Sequence, residues 1–116
     1  MKRVLGILGL CLTLAAPAKA EEFVTVLTGG TSGVYYPLGV ALQNIFGKTL
    51  AGAKVSVQAT KASVENLNLL QAGRGEIGFT LGDSLGDAWA GSEDAGFKTK
   101  LTKLRTIAGK IGRAHV

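Results

Sequence analysis

Reactive side chains are scarce in this sequence of 116 residues, which holds one cysteine, Cys11, and one histidine, His115. Cys11 sits inside an apolar run over 4–16, behind Lys2 and Arg3 and ahead of Pro17 and the small-residue site Ala18-Lys19-Ala20. That order of charge, hydrocarbon and small residues predicts a cleaved signal peptide over 1–20, with the mature chain starting at Glu21 outside the cytoplasmic membrane. A spanning helix needs roughly 18 or more consecutive apolar residues, and this run is shorter. Leu10 stands where lipoprotein processing wants a small residue, so Cys11 reads as one more apolar position of the signal. Its removal leaves a mature chain with no disulfide, no thiolate nucleophile and no cysteine metal site.

Histidine is equally hard to place. The last six residues, Ile111-Gly112-Arg113-Ala114-His115-Val116, resemble a translated sequencing adapter, so 111–116 is expected to be an artefact; an ordinary polar C-terminus is the alternative. With both ends set aside, 21–110 carries nine basic and eight acidic residues, a balance of +1. The basic pI is then largely a property of the ends, and a nucleic-acid partner loses its premise. Lys98, Lys100, Lys103 and Arg105 remain clustered, a pattern that solvated faces commonly show.

Along 21–110 the hydrophobic period alternates. Residues 22–27, with Phe23, Val24, Val26 and Leu27, predict a strand. A turn, Thr28-Gly29-Gly30-Thr31-Ser32-Gly33, precedes Val34, Leu38, Ala41, Leu42, Ile45 and Phe46, spaced as a helix face, with Thr31 or Ser32 as cap and Gly47 as stop. Val55, Val57 and Ala59 alternate with polar residues as a second strand. Val64, Leu67, Leu69 and Leu70 open a second helix that ends at Gly73. Residues 77–81 predict a third strand, 84–90 a third helix, and 104–108 the start of a fourth strand. Strands alternating with helices predict an α/β fold with a parallel sheet. A sheet this small that ends on a strand is expected to be the first part of a longer domain.

Loops at the carboxyl ends of parallel strands share one edge, and ligands bind there. Those loops are 28–33, 60–66 and 80–84, and they carry hydroxyls, glycines and little charge. Each leads into a helix, whose unpaired N–H groups and positive dipole end suit a carboxylate or phosphate. Hydroxyls at helix starts also serve as plain N-caps, and both readings stay open. Tyr35 and Tyr36 likewise either pack or wall a pocket. Enzyme readings find little support. Neither the Rossmann glycine pattern nor a P-loop is present. Ser32 has no dependable histidine to activate it, and the Asp83, Asp87, Glu93, Asp94 group does not match a calcium loop. The expectation is a binding protein that is not an enzyme and has neither cofactor nor metal.

Two stretches carry a family resemblance. Thr28-Gly29-Gly30-Thr31-Ser32-Gly33-Val34-Tyr35-Tyr36-Pro37-Leu38-Gly39 and Ser56-Val57-Gln58-Ala59-Thr60-Lys61-Ala62-Ser63-Val64-Glu65-Asn66-Leu67 resemble the TAXI-type solute-binding subunits of TRAP transporters. The resemblance implies a periplasmic binding protein-like (type II) two-lobed fold, with 21–110 supplying only the first part of lobe 1. It implies a periplasmic protein that captures a small organic anion or amino acid, such as glutamate, glutamine or 2-oxoglutarate, and delivers it to a TRAP membrane permease subunit. Carried over by motif, the ligand contacts are Gly29, Gly30, Thr31 and Tyr35, then Thr60, Ser63 and Asn66. Asp83 and Ser84 follow in the third turn, where Thr80-Leu81-Gly82-Asp83 departs from the family's Gln- or Asn-containing turn. A periplasmic sensor domain serving a membrane signalling kinase is the alternative use of the same fold.

Overall fold

The computed structural model describes residues 21–109; the expected signal segment, 1–20, and the tail, 111–116, lie outside the described residues. Six elements follow one another: β1 (Glu22–Leu27), α1 (Tyr35–Thr49), β2 (Ala53–Gln58), α2 (Ser63–Gln71), β3 (Ile77–Gly78) and α3 (Gly82–Ala90). The strands form one parallel sheet in the order β2-β1-β3. β1 is therefore central, which suits its run of β-branched and aromatic residues. Val26 and Leu27 are fully buried.

Alternation along β1 sends neighbouring side chains to opposite faces. Val26 and Thr28 face α1, which comes close because Gly39 has no side chain: a Cβ there would overlap the Thr28 methyl and lie 3.1 Å from Val57 Cγ1. Gln43 Nε2 on the same helix donates to the Val55 carbonyl at 2.8 Å. Leu27 points to the other face and fills the space left open at Gly75. On that side Leu67, Ala88, Phe97, Leu101 and Leu104 make the buried core, with Leu70, Leu85 and Ala95 packed around it. Gly91, at φ 72°, ends α3 and turns the chain back so that 97–104 closes this core.

The boundaries differ from the expected ones in four places. Thr31 and Ser32 do not cap α1: Val34 holds the cap position, and no side chain bonds there. Gly47 does not end α1, which continues to Thr49, with the Leu50 N–H bonded to the Phe46 carbonyl. The left-handed residue that turns the chain is Gly52, at φ 88°. β3 keeps only Ile77 and Gly78 in the ladder, because Leu81 leaves the sheet to donate its N–H to Ser63 Oγ. α3 accordingly starts at Gly82, two residues before the expected position.

The fourth strand expected over 104–108 is absent among the described residues. Leu104 is drawn into the core, the Lys103 N–H donates to Gln71 Oε1, and Arg105 Nη1 donates to the Thr102 and Leu104 carbonyls. The bond to Gln71 anchors the segment to the end of α2, and Arg105 occupies the Leu104 carbonyl that a ladder would need.

Two glycines of α1 test this packing in opposite directions. Gly39→Ala is expected to destabilise by about 1–3 kcal/mol, because Thr28 and Val57 must yield to the new methyl. Nothing lies within 4 Å of a Cβ at Gly47. Gly47→Ala should therefore stabilise by about 0.5–1 kcal/mol through helix propensity alone. Urea unfolding monitored by circular dichroism measures both.

Candidate functional site

The three strands end side by side, and the turns after them meet at the carboxyl edge of the sheet. The first and second are joined by main chain, Thr28 N–H to the Gln58 carbonyl at 3.0 Å and Thr60 N–H to the Gly29 carbonyl at 3.3 Å. The Thr28 hydroxyl, fully buried, also donates to the Gln58 carbonyl at 2.8 Å. The third turn joins through Phe79 N–H to the Leu27 carbonyl at 3.0 Å.

Beneath all three lies Asn66, in the first turn of α2 and completely buried. Its Nδ2 donates to the Thr28 carbonyl at 2.6 Å and to the Phe79 carbonyl at 2.7 Å. Its Oδ1 faces Thr60 Oγ1 at 2.6 Å. The Thr60 hydroxyl also lies 2.9 Å from the Thr28 carbonyl and accepts the Ala62 N–H at 3.0 Å. A hydroxyl has one proton, so the carbonyl and the amide oxygen compete for it. One carboxamide thus reaches the end of β1, the end of β3 and the turn after β2. Both of its hydrogens are committed, and its place is that of a support under the turns.

The other expected site residues fall into two groups. Gly29 is buried where the turns touch: a Cβ there would lie 3.5 Å from Ala62 Cβ and 3.6 Å from Tyr35 Cδ2. Tyr35 stacks on Phe79, with centroids 5.4 Å apart and planes 17° from parallel, which ties the start of α1 to the end of β3. Ser63 Oγ accepts the Leu81 N–H at 3.0 Å, which brings the starts of α2 and α3 together. Gly30 and Thr31 are exposed on the first turn, where the Gly33 N–H bonds the Gly30 carbonyl at 2.8 Å. Asp83 is exposed and accepts the Ser84 N–H at 2.7 Å within the first turn of α3.

The sequence did not single out two participants. Phe79 supplies both the stacking ring and a carbonyl for Asn66; an aromatic at a strand end is the only signal it left. Ala62 has φ 71° and ψ −145°, a conformation that sequence patterns assign to glycine.

What the edge offers chemically is hydroxyls, main-chain N–H groups and two helix starts, with Lys61, Glu65 and Asp83 as its charged side chains; the Glu65 carboxylate accepts the Lys61 N–H at 2.6 Å. Among the described residues no cluster of possible metal ligands occurs. A separate open groove of about 500 Å³ runs beside β3 between α1 and 104–108. Its lining is largely hydrocarbon, including Leu38, Leu42, Phe46 and Ile77, and it meets the turns only at Phe79 and Thr80. That groove has volume without polar convergence, so the polar turns are the better candidate for recognising an anion. A family model described as the NMT1-like family matches residues 26–111.

Asn66→Ala would leave the half-buried Phe79 carbonyl without its donor and empty a fully buried amide site, and is expected to cost about 2–3 kcal/mol. Thr60→Val keeps the shape, loses one shared hydroxyl, and should cost about 1 kcal/mol. The ordering of these two losses in chemical denaturation checks the central place of the carboxamide.

Proposed function

The chain belongs to the NMT1-like family, a periplasmic binding protein-like family, and from that premise we propose that it captures a small organic anion at the carboxyl edge of its sheet. Membership in the family supports a solute-binding role outside the cytoplasm and a membrane transporter as partner. The finer reading is a TAXI-type subunit of a TRAP transporter that takes a ligand resembling glutamate, glutamine or 2-oxoglutarate. The observation that carries the choice of ligand class is the union of three turns rich in hydroxyls and N–H groups around Asn66.

A carboxylate suits such a site. Neutral donors oriented in advance hold an anion without a buried cation, and the starts of α2 and α3 add the positive ends of two dipoles. Gly30 and Thr31 are the exposed donors of the first turn, and Ser63 stands at the start of α2. Tyr35, stacked on Phe79, forms an aromatic wall beside them. Asn66 serves from beneath, by holding the turns. Nothing in the three turns pairs an acid with a base or activates a nucleophile, which favours binding over turnover.

In this reading the chain is exported by its N-terminal segment and acts in the periplasm. The described sheet belongs to the first of two lobes, and the ligand is enclosed when a second lobe closes on it. Closure follows from contacts that exist only when both lobes touch the solute.

A thermal-shift panel of dicarboxylates and amino acids on the intact protein tests the ligand class. A ligand at about 100 times its Kd adds about 2.7 kcal/mol, enough to raise the melting temperature by several degrees. A flat panel across organic anions overturns the proposal.

A further inference from the structure

The two edges of the sheet are finished differently. β2 and β3 are the outer strands. In β2 the Gly52 and Gln58 carbonyls bond β1, so alternation turns the main chain of Val55 away from β1. Its outward carbonyl is taken by Gln43 Nε2 at 2.8 Å, and α1 thereby blocks that edge against further pairing. In β3 the Phe79 N–H bonds the Leu27 carbonyl, so Gly78 turns its main-chain groups the other way, toward the apolar groove beside the strand. Among the described residues nothing pairs with them. The groove is shaped for a strand. Its rim, 76–80, matches about 16 Å of extended chain. Leu38 and Leu42 cover it from α1 on one face of the sheet, and Leu70 and Leu85 cover it on the other. Residues 104–108 form a further wall, with Ile107 81% exposed. A strand placed there meets hydrocarbon on both faces, so it must be apolar at nearly every position. A charge has no place in it.

Two stretches of this chain lie outside the described residues, and only one meets that requirement. The tail carries Lys110, Arg113 and His115 and does not. The run 4–16 has no charged residue, and only Gly6, Gly9 and Thr13 interrupt its larger apolar side chains. It is also within reach. The run joins β1 through 17–21, which when extended spans up to about 17 Å. The groove lies two strand spacings, about 10 Å, from β1. We propose that, in the chain that still carries it, the segment 4–16 enters this groove as an antiparallel strand beside β3 and covers it. The direction follows from the connection. The segment leads into β1 at the amino edge of the sheet, so it must run toward that edge, against β3. One antiparallel strand at the edge of a parallel sheet is a common arrangement. While attached, the segment closes the edge of β3 and shields the groove; its removal opens both. The expected export segment thus doubles as a cover for the apolar surface that the described sheet leaves open. This inference is independent of which solute the turns bind.

Cys11 is the only cysteine and lies within 4–16, so it reports where the segment sits in the full chain. A strand in the groove turns Cys11 toward α1 or toward α3, the sides marked by Leu42 and Leu85. On mild oxidation of the full chain, Leu42→Cys or Leu85→Cys should form a disulfide with Cys11 within one molecule. The faster of the two should exceed Asn44→Cys, exposed elsewhere on α1, by at least about ten-fold. Equal rates at the three sites overturn the proposal. A disulfide between two molecules overturns it in favour of a second copy as the occupant. The second measurement leaves the described residues unchanged. Leu8→Asp with Leu10→Asp puts charge where the groove admits none. In the full chain this pair should expel the segment and speed hydrogen exchange of the Gly78 amide about ten-fold relative to that of Val26 in the central strand. An unaltered ratio rules the proposal out.

Discussion

Parallel strands finish with carbonyl groups that their ladder no longer satisfies, and a buried carbonyl without a donor is costly. At the carboxyl edge of this sheet the Asn66 carboxamide supplies those donors, to Thr28 and to Phe79. It comes from a helix rather than from a neighbouring strand. β1 and β3 can therefore separate beyond the bond from the Phe79 N–H to the Leu27 carbonyl without leaving the Thr28 and Phe79 carbonyls unpaired. The turns exist in their present form because that separation is supported from below. Thr60 extends the same support to β2 through its hydroxyl. A buried polar network of this kind is strong when every member is paired, and no buried side-chain nitrogen or oxygen among the described residues lacks a partner.

The alternation of strand and helix was legible in the sequence because it depends on period alone. Val24, Val26 and Leu27, then Val55 and Val57, mark half-buried strands, and Leu67 with Leu70 marks a helix face. Glycine was less informative than its reputation. Gly73 does follow α2 at positive φ, yet Gly47 lies within α1, and Gly52 makes the turn. Helix starts were misread for a related reason. Thr31 or Ser32 was the expected cap of α1, but Val34 holds that position without a side-chain bond, while Thr28, Thr60 and Ser63 spend their hydroxyls on other turns. Local pattern cannot reveal a partner that is 18 or more residues away. The expected fourth strand failed in the same manner: Leu104 has the right residue type, but the core under α2 and α3 claims it.

The site residues divide along the same line. Their identity came from two sequence stretches, and their roles came from the contacts between those stretches. Asn66 and Gly29 stand among residues that resemble ligand contacts, yet both are buried where turn meets turn. Gly30 and Thr31 are exposed on the first turn. A motif therefore records what must be present near a ligand without separating the residues that hold it from those that hold the holders.

The two faces of the sheet are unequal, and the difference bears on which turn is the firmer one. On the α2 and α3 face Leu67, Ala88, Phe97, Leu101 and Leu104 form a closed core. On the α1 face Gly39 is the only buried residue of the helix, and Leu38 and Ile45 are about half exposed. Asn66 adjoins Leu67 on α2, so the second and third turns take their position directly from the closed core. Beyond Thr28 and Gly29, which Asn66, Thr60 and main-chain bonds to the second turn hold, the first turn leads into α1 and depends on smaller contacts such as the stack of Tyr35 on Phe79. Local stability follows buried contact, and elements with less of it open at lower cost. The α1 end of the first turn is accordingly the part of this edge that opens at the lowest cost, against a frame that α2 holds.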